Sequence, residues 1–127
     1  VTILDTRIPA GLDANGMSPD ERRQYETLRA HRALGLLMQR IPVSASIGDW
    51  TIRGGRIEIL TGGCRTGHAA RAKVLLLAEQ FGLTYAEKPH INGRNHISAS
   101  GVYAEASVEF WDLVEPCACE DCGGVTC

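Results

Sequence analysis

The sequence predicts an α+β domain: a mostly antiparallel sheet, built from a β-hairpin and a three-strand meander, with two helices packed on it. Three observations carry this expectation. A capped helical segment opens the body of the chain, the apolar period then alternates between strand and helix, and the last third is strand-like and broken by short turns. At 127 residues the chain has the length of one domain, and its 44% apolar and 22% charged residues are ordinary for a globular protein. The expected division is an extended N-terminal arm over residues 1–17, one α+β domain over 18–114 and a Cys-rich C-terminal tail over 115–127.

Each element follows from local signals. Pro9, Gly11, Asn15 and Gly16 interrupt any period in residues 1–17, which therefore read as an arm. Ser18-Pro19-Asp20-Glu21 sets Ser at the N-cap, Pro at the first helical position and Glu at N3, so a helix is expected from Pro19 to about Gln39, stopped by Pro42. Its Arg22, Arg23, Arg29 and Arg32 fall on more than one face among Glu21 and Glu26, which favours a solvated surface over a nucleic-acid stripe. From Ile47 the period becomes two, and Gly54-Gly55 supplies a tight turn between Trp50-Thr51-Ile52 and Ile57-Glu58-Ile59. A second helix is expected from Gly67 to Phe81, with Gly82 as its left-handed cap. Thr84 to His90, Arg94 to Tyr103 and about Ser107 to Val114 then read as the meander, with Asn92-Gly93 as its first turn.

No apolar run is long enough to span a bilayer, so a soluble, cytoplasmic protein without a membrane partner is expected. Charge is unevenly spread. Residues 1–94 hold all 13 Lys and Arg against nine acids, while residues 95–127 hold six acids and no Lys or Arg.

The loop Gly62-Gly63-Cys64-Arg65-Thr66-Gly67-His68 leaves a strand and enters the second helix. Unpaired amides at a helix start attract anions, and glycines let an oxyanion approach the backbone. Gly62, Gly63, Arg65, Thr66, Gly67, His68 and Arg71 are therefore the candidate ligand-binding residues, with Lys73 adding charge nearby. The loop lacks the Walker pattern, and six residues rather than five separate Cys64 from Arg71, which turns the guanidinium by about 100° from the place a cysteine phosphatase requires. His90 and His96 flank the Asn92-Gly93 turn; a two-residue hairpin would place them on opposite faces of the ribbon.

Cys117, Cys119, Cys122 and Cys127 lie in the last eleven residues, and the fifth cysteine, Cys64, lies in the glycine loop. Cys119-Glu120-Asp121-Cys122-Gly123 has the form of a metal knuckle, so the four tail cysteines are candidate ligands for zinc, which takes thiolates at about 2.3 Å in a tetrahedron. Recruitment of Cys64 or His68 would relieve that crowded set, and free thiols or disulfides are the competing accounts. No G-x-S-x-G elbow, HExxH or paired-carboxylate motif is present. The function expected is a small non-enzymatic binding or regulatory module for an anionic ligand: a nucleotide, nucleic acid or an acidic protein surface. The alternatives are an enzyme acting on a phosphorylated small molecule, through Cys64 or His68, and a structural subunit of a homo-oligomeric assembly.

Overall fold

The computed structural model describes residues 16–42 and 47–116. Helix α1 (Pro19–Arg40) starts as its sequence dictates: Ser18 is extended at the N-cap and its hydroxyl accepts a hydrogen bond from the Glu21 N–H at 3.2 Å. Ala30, Ala33, Leu34 and Leu37 are buried, spaced as one helical stripe. Strands β1 (Asp49–Arg53) and β2 (Arg56–Leu60) form the expected hairpin. Gly54 and Gly55 carry φ of +56° and +80° there, the pair of positive values that a two-residue turn needs to match strand twist.

Helix α2 (Gly67–Phe81) begins at an extended Thr66, whose hydroxyl accepts from the Ala69 N–H at 3.1 Å, and ends at Gly82 with φ +65°. Strands β3 (Thr84–Pro89), β4 (Asn95–Tyr103) and β5 (Ala106–Val114) follow as an antiparallel meander.

The five strands form one sheet in the order β1-β2-β5-β4-β3, and it is mixed rather than mostly antiparallel. The reason is topological. A strand–helix–strand connection returns the chain to the end it left, so β3 runs in the direction of β2, and two further reversals give β5 that direction again. Either edge of the meander can therefore meet β2 only in parallel. The apolar β5, with Val108 and Phe110 buried, does so, opposite Ile57 and Ile59.

Both helices contact β5, α1 together with β1 and β2 and α2 together with β3 and β4. The core lies between helices and sheet, around Leu37, Ile57, Ile59, Leu77, Ile97 and Phe110. Arg40 joins the layers at one end, its guanidinium 5.7 Å from the centre of the Phe81 ring and 5.9 Å from that of Tyr103, whose hydroxyl accepts its hydrogen bond.

The turn between β4 and β5 carries no sequence signature. Tyr103 pairs with Ala106, so Ala104 and Glu105 alone make the reversal, at φ +48° and +68°. Left-handed backbone costs a residue with a Cβ roughly 1–2 kcal/mol. Glu105→Gly is accordingly expected to stabilise the fold by about 1 kcal/mol, read as a rise in the urea midpoint without a change in slope. An unchanged or lower midpoint would contradict the strain argument.

The meander also corrects the expected histidine geometry. Three residues, Ile91–Gly93, fill the turn, with Asn92 at φ +66° and Gly93 at +71°, and the His90 N–H donates to the Arg94 carbonyl at 2.7 Å. Pro89 then pairs with Asn95 and Lys88 with His96, one residue out of the register expected for a two-residue turn. A one-residue slip moves a side chain to the other face. His90 and His96 therefore share a face, with ring centres 6.0 Å apart.

Candidate functional site

The glycine loop leaves the C-terminal end of β2, beside the C-terminal end of its parallel neighbour β5, and enters α2. The Thr61 N–H donates to the Trp111 carbonyl at 3.0 Å, extending the parallel ladder past Leu60. Gly62 and Gly63 then turn the chain with φ of +51° and +75°. Lys73 reaches back from α2 to donate to the carbonyls of Thr61 at 3.3 Å and Gly62 at 3.0 Å. Its charge thus holds the loop in shape. The N–H groups of Gly67 and His68 precede the first intrahelical hydrogen bond and have no helical carbonyl to meet.

A cavity of about 260 Å³ lies over this loop. Gly62, Gly63, Cys64, Arg65, Thr66 and Gly67 form one side, and Arg94 with Asp112 to Glu115 forms the other. Five of the seven ligand residues expected from the sequence, Gly62, Gly63, Arg65, Thr66 and Gly67, are gathered there. The other two are placed differently. His68 is exposed on the first turn of α2 and is not part of the cavity wall.

Arg71 is a buried anchor, with 2% of its surface exposed. Its Nε and Nη2 donate to the two carboxylate oxygens of Glu87 at 2.9 and 3.1 Å, and Nη2 also donates to the Glu115 carbonyl at 2.9 Å. Glu87 further accepts from Asn95 Nδ2 at 2.7 Å and from the Tyr85 hydroxyl at 3.3 Å. The Arg71 hydrogen bonds outweigh burial and hold the Glu87 carboxyl below its usual range, with Asn95 and Tyr85 acting in the same direction. Those same bonds raise the Arg71 guanidinium. Burial, and then the charge of Glu87, pushes the Tyr85 phenol up to about 12.

One atom of this network is left over. Nη1 of Arg71 is buried and has no hydrogen-bond partner among the described residues. It lies under Gly67: a Cβ at that glycine would sit 3.0 Å from Nη1, 3.6 Å from the Val114 Cβ and 3.7 Å from the Glu115 carbonyl oxygen. Gly67, Val114 and Glu115 all line the cavity. Arg71 itself does not line the cavity; Gly67, which does, is the residue whose added Cβ would come within 3.0 Å of Nη1.

The opposite wall brings two carboxylates, and both are engaged. Asp112 accepts from the Leu113 N–H at 2.8 Å and from the Thr61 hydroxyl at 3.3 Å, while Glu115 lies 3.5 Å from Arg94 Nε. Arg65 is exposed at the mouth. Sequence reasoning did not bring Arg94, Asp112 and Glu115 to the loop, because they reach it through long-range pairing, of β2 with β5 and of β4 with β5.

Among the described residues no group of three or more His, Cys, Asp or Glu is arranged to hold a metal ion. The zinc set Cys117, Cys119, Cys122 and Cys127 lies outside the described residues, as do most of the N-terminal arm and all of the tail beyond Pro116. Cys64 forms no disulfide among the described residues and is half-buried against the core and on the cavity wall. No described helix is long and apolar enough to cross a membrane. No protein-family model matches the chain, and comparison with the curated proteins and with the solved structures found no match.

Proposed function

We propose that this protein is a small non-enzymatic binding module whose cavity at the start of α2 receives an oxyanion of the phosphate class. The observation that carries the reading is the buried, unpartnered Nη1 of Arg71 beneath Gly67. A buried polar atom without a partner costs about 1–3 kcal/mol, and more when it belongs to a charged group, so an acceptor above it has an energetic reason to bind. The unpaired amides of the first turn point the same way, and two loop glycines let an oxygen come close. Position at the carboxyl ends of parallel strands is where open sheets with crossover helices commonly hold ligands.

Titration with inorganic phosphate, followed by backbone amide shifts of residues 62–68, tests the reading. Saturable shifts confined to this loop and the Arg71 side chain are expected. Gly67→Ala should abolish them, because its methyl would stand 3.0 Å from Nη1 and close the approach. Cys64→Ser should leave them intact, which separates binding from thiol chemistry in the same cavity. Absence of saturation, or equal binding by Gly67→Ala, would remove the support for this function.

A further inference from the structure

We infer that the ligand is a nucleotide unit, with its phosphate in the loop cavity and its base stacked on a row of rings beside it; this rests on the oxyanion reading above. The row lies on the sheet face opposite the buried Phe110. Trp111, Leu113 and His96 share that face, because Leu113 is directly opposite His96 and Trp111 is two residues before Leu113 on β5. The rings of Trp111 and His96 are near-parallel, 5.7 Å apart with planes at 18°, and His96 and His90 repeat the arrangement at 6.0 Å and 24°. His90, the outer member, is exposed.

Cavity and ring row meet at two residues. Leu113 lines the cavity and pairs with His96, while Arg94 lines the cavity and accepts the His90 N–H through its carbonyl at 2.7 Å. Helix α2 packs on the Phe110 face, so the rings lie across the sheet from the loop, and the two places approach each other around the strand ends at Leu113 and Arg94. A ligand that fills both places needs an anionic group and a flat ring joined by a linker that turns around those strand ends. A nucleotide has this form.

The neighbouring side chains favour the same ligand. Lys88 is directly opposite His96, and Arg94, on the cavity wall, is half exposed and ion-paired to Glu115 at 3.5 Å, so the positive charge nearest the rings comes from Lys88 and from an Arg94 that Glu115 partly offsets. Across the strands beside Trp111 the partners are small, Ser98 on β4 and Ala86 on β3, which leaves that part of the surface low. Base stacking on protein rings is tolerant of base identity, so the row sets ligand class more than sequence.

Adenosine 5′-monophosphate, ribose 5-phosphate, adenosine and a 5′-phosphorylated oligoadenylate, each titrated into the full chain, test the inference. Stacking should make the monophosphate bind roughly five- to a hundred-fold more tightly than ribose 5-phosphate and should move the imidazole C–H resonances of His90 and His96. His90→Ala should erase most of that ratio while leaving ribose 5-phosphate binding unchanged, and His90→Tyr should restore it. Equal affinities for adenosine 5′-monophosphate and ribose 5-phosphate overturn the inference but leave the oxyanion site standing. Adenosine binding as tightly as its monophosphate overturns it too, since the phosphate would then contribute nothing. If the wild-type chain binds none of the phosphates, the oxyanion reading fails with it. Tighter binding of the oligoadenylate than of the mononucleotide assigns the ligand to a strand end, and weaker binding assigns it to a free nucleotide.

Discussion

Replacing Arg71 with methionine lowers the unfolding free energy by about 3–5 kcal/mol, because it leaves the Glu87 carboxylate in a half-buried site without its guanidinium. Urea unfolding at neutral pH measures the loss. Solvent reaches 23% of the Glu87 side chain, which places the expected value toward the lower end. Combining Arg71→Met with Glu87→Met should recover most of the stability, since it removes both charges from the same place. If the double variant is no better than Arg71→Met alone, the pair is not what the single change disrupts.

The same pair predicts an acid response with a definite sign. Glu87 titrates lower in the folded chain than its ordinary value of 4.5, so its contribution is complete above about that pH and is lost as pH falls through the lower folded value. Arg71→Met should flatten this part of the stability profile. Tyr85 acts at the other end: its phenol titrates near 12 in the fold instead of 10, so its contribution is lost as pH rises across that interval.

Phe110→Ala should also cost about 3–5 kcal/mol, through the cavity it opens where both halves of the sheet meet the helices. Phe110 is fully buried, stands opposite Ile59 on β2 and Ala99 on β4, and stacks on Phe81 with ring centres 5.9 Å apart. Val102→Ala on β4 is the control, because Val102 is largely exposed and its loss should stay within about 0.5 kcal/mol. Comparable destabilisation by the two changes would show that Phe110 is not the keystone of this packing.

The elements were legible wherever a residue acts on its own neighbours. Ser18, Thr66 and Gly82 mark helix ends through bonds or torsions within a few residues, and Gly54-Gly55 marks a turn for the same reason. What escaped depends on partners far along the chain. The parallel seam joins Ile57 to Val108, and Arg71 is neutralised by Glu87 from another element. Neither spacing nor period encodes such meetings, so the loop glycines could be named as a candidate site while Arg94, Asp112 and Glu115 across from them could not. The turn at Ala104-Glu105 was hidden for a different reason: it uses residues that resist its torsions and is imposed by the strands it joins. The Asn92-Gly93 signal gave a turn in the right place but the wrong loop length, and that single residue decides on which face His90 stands.

The seam between β2 and β5 has a kinetic consequence. The β1–β2 hairpin and the β3–β4–β5 meander can each form from contacts close in sequence, but their union must close a loop of about fifty residues, as Ile57 meeting Val108 requires. Joining them is therefore expected to be the slow step, and until it occurs both halves present an unpaired strand edge to any other chain. The cavity straddles this junction. A ligand held there would grip both halves at once and act as a clasp against the opening that exposes those edges.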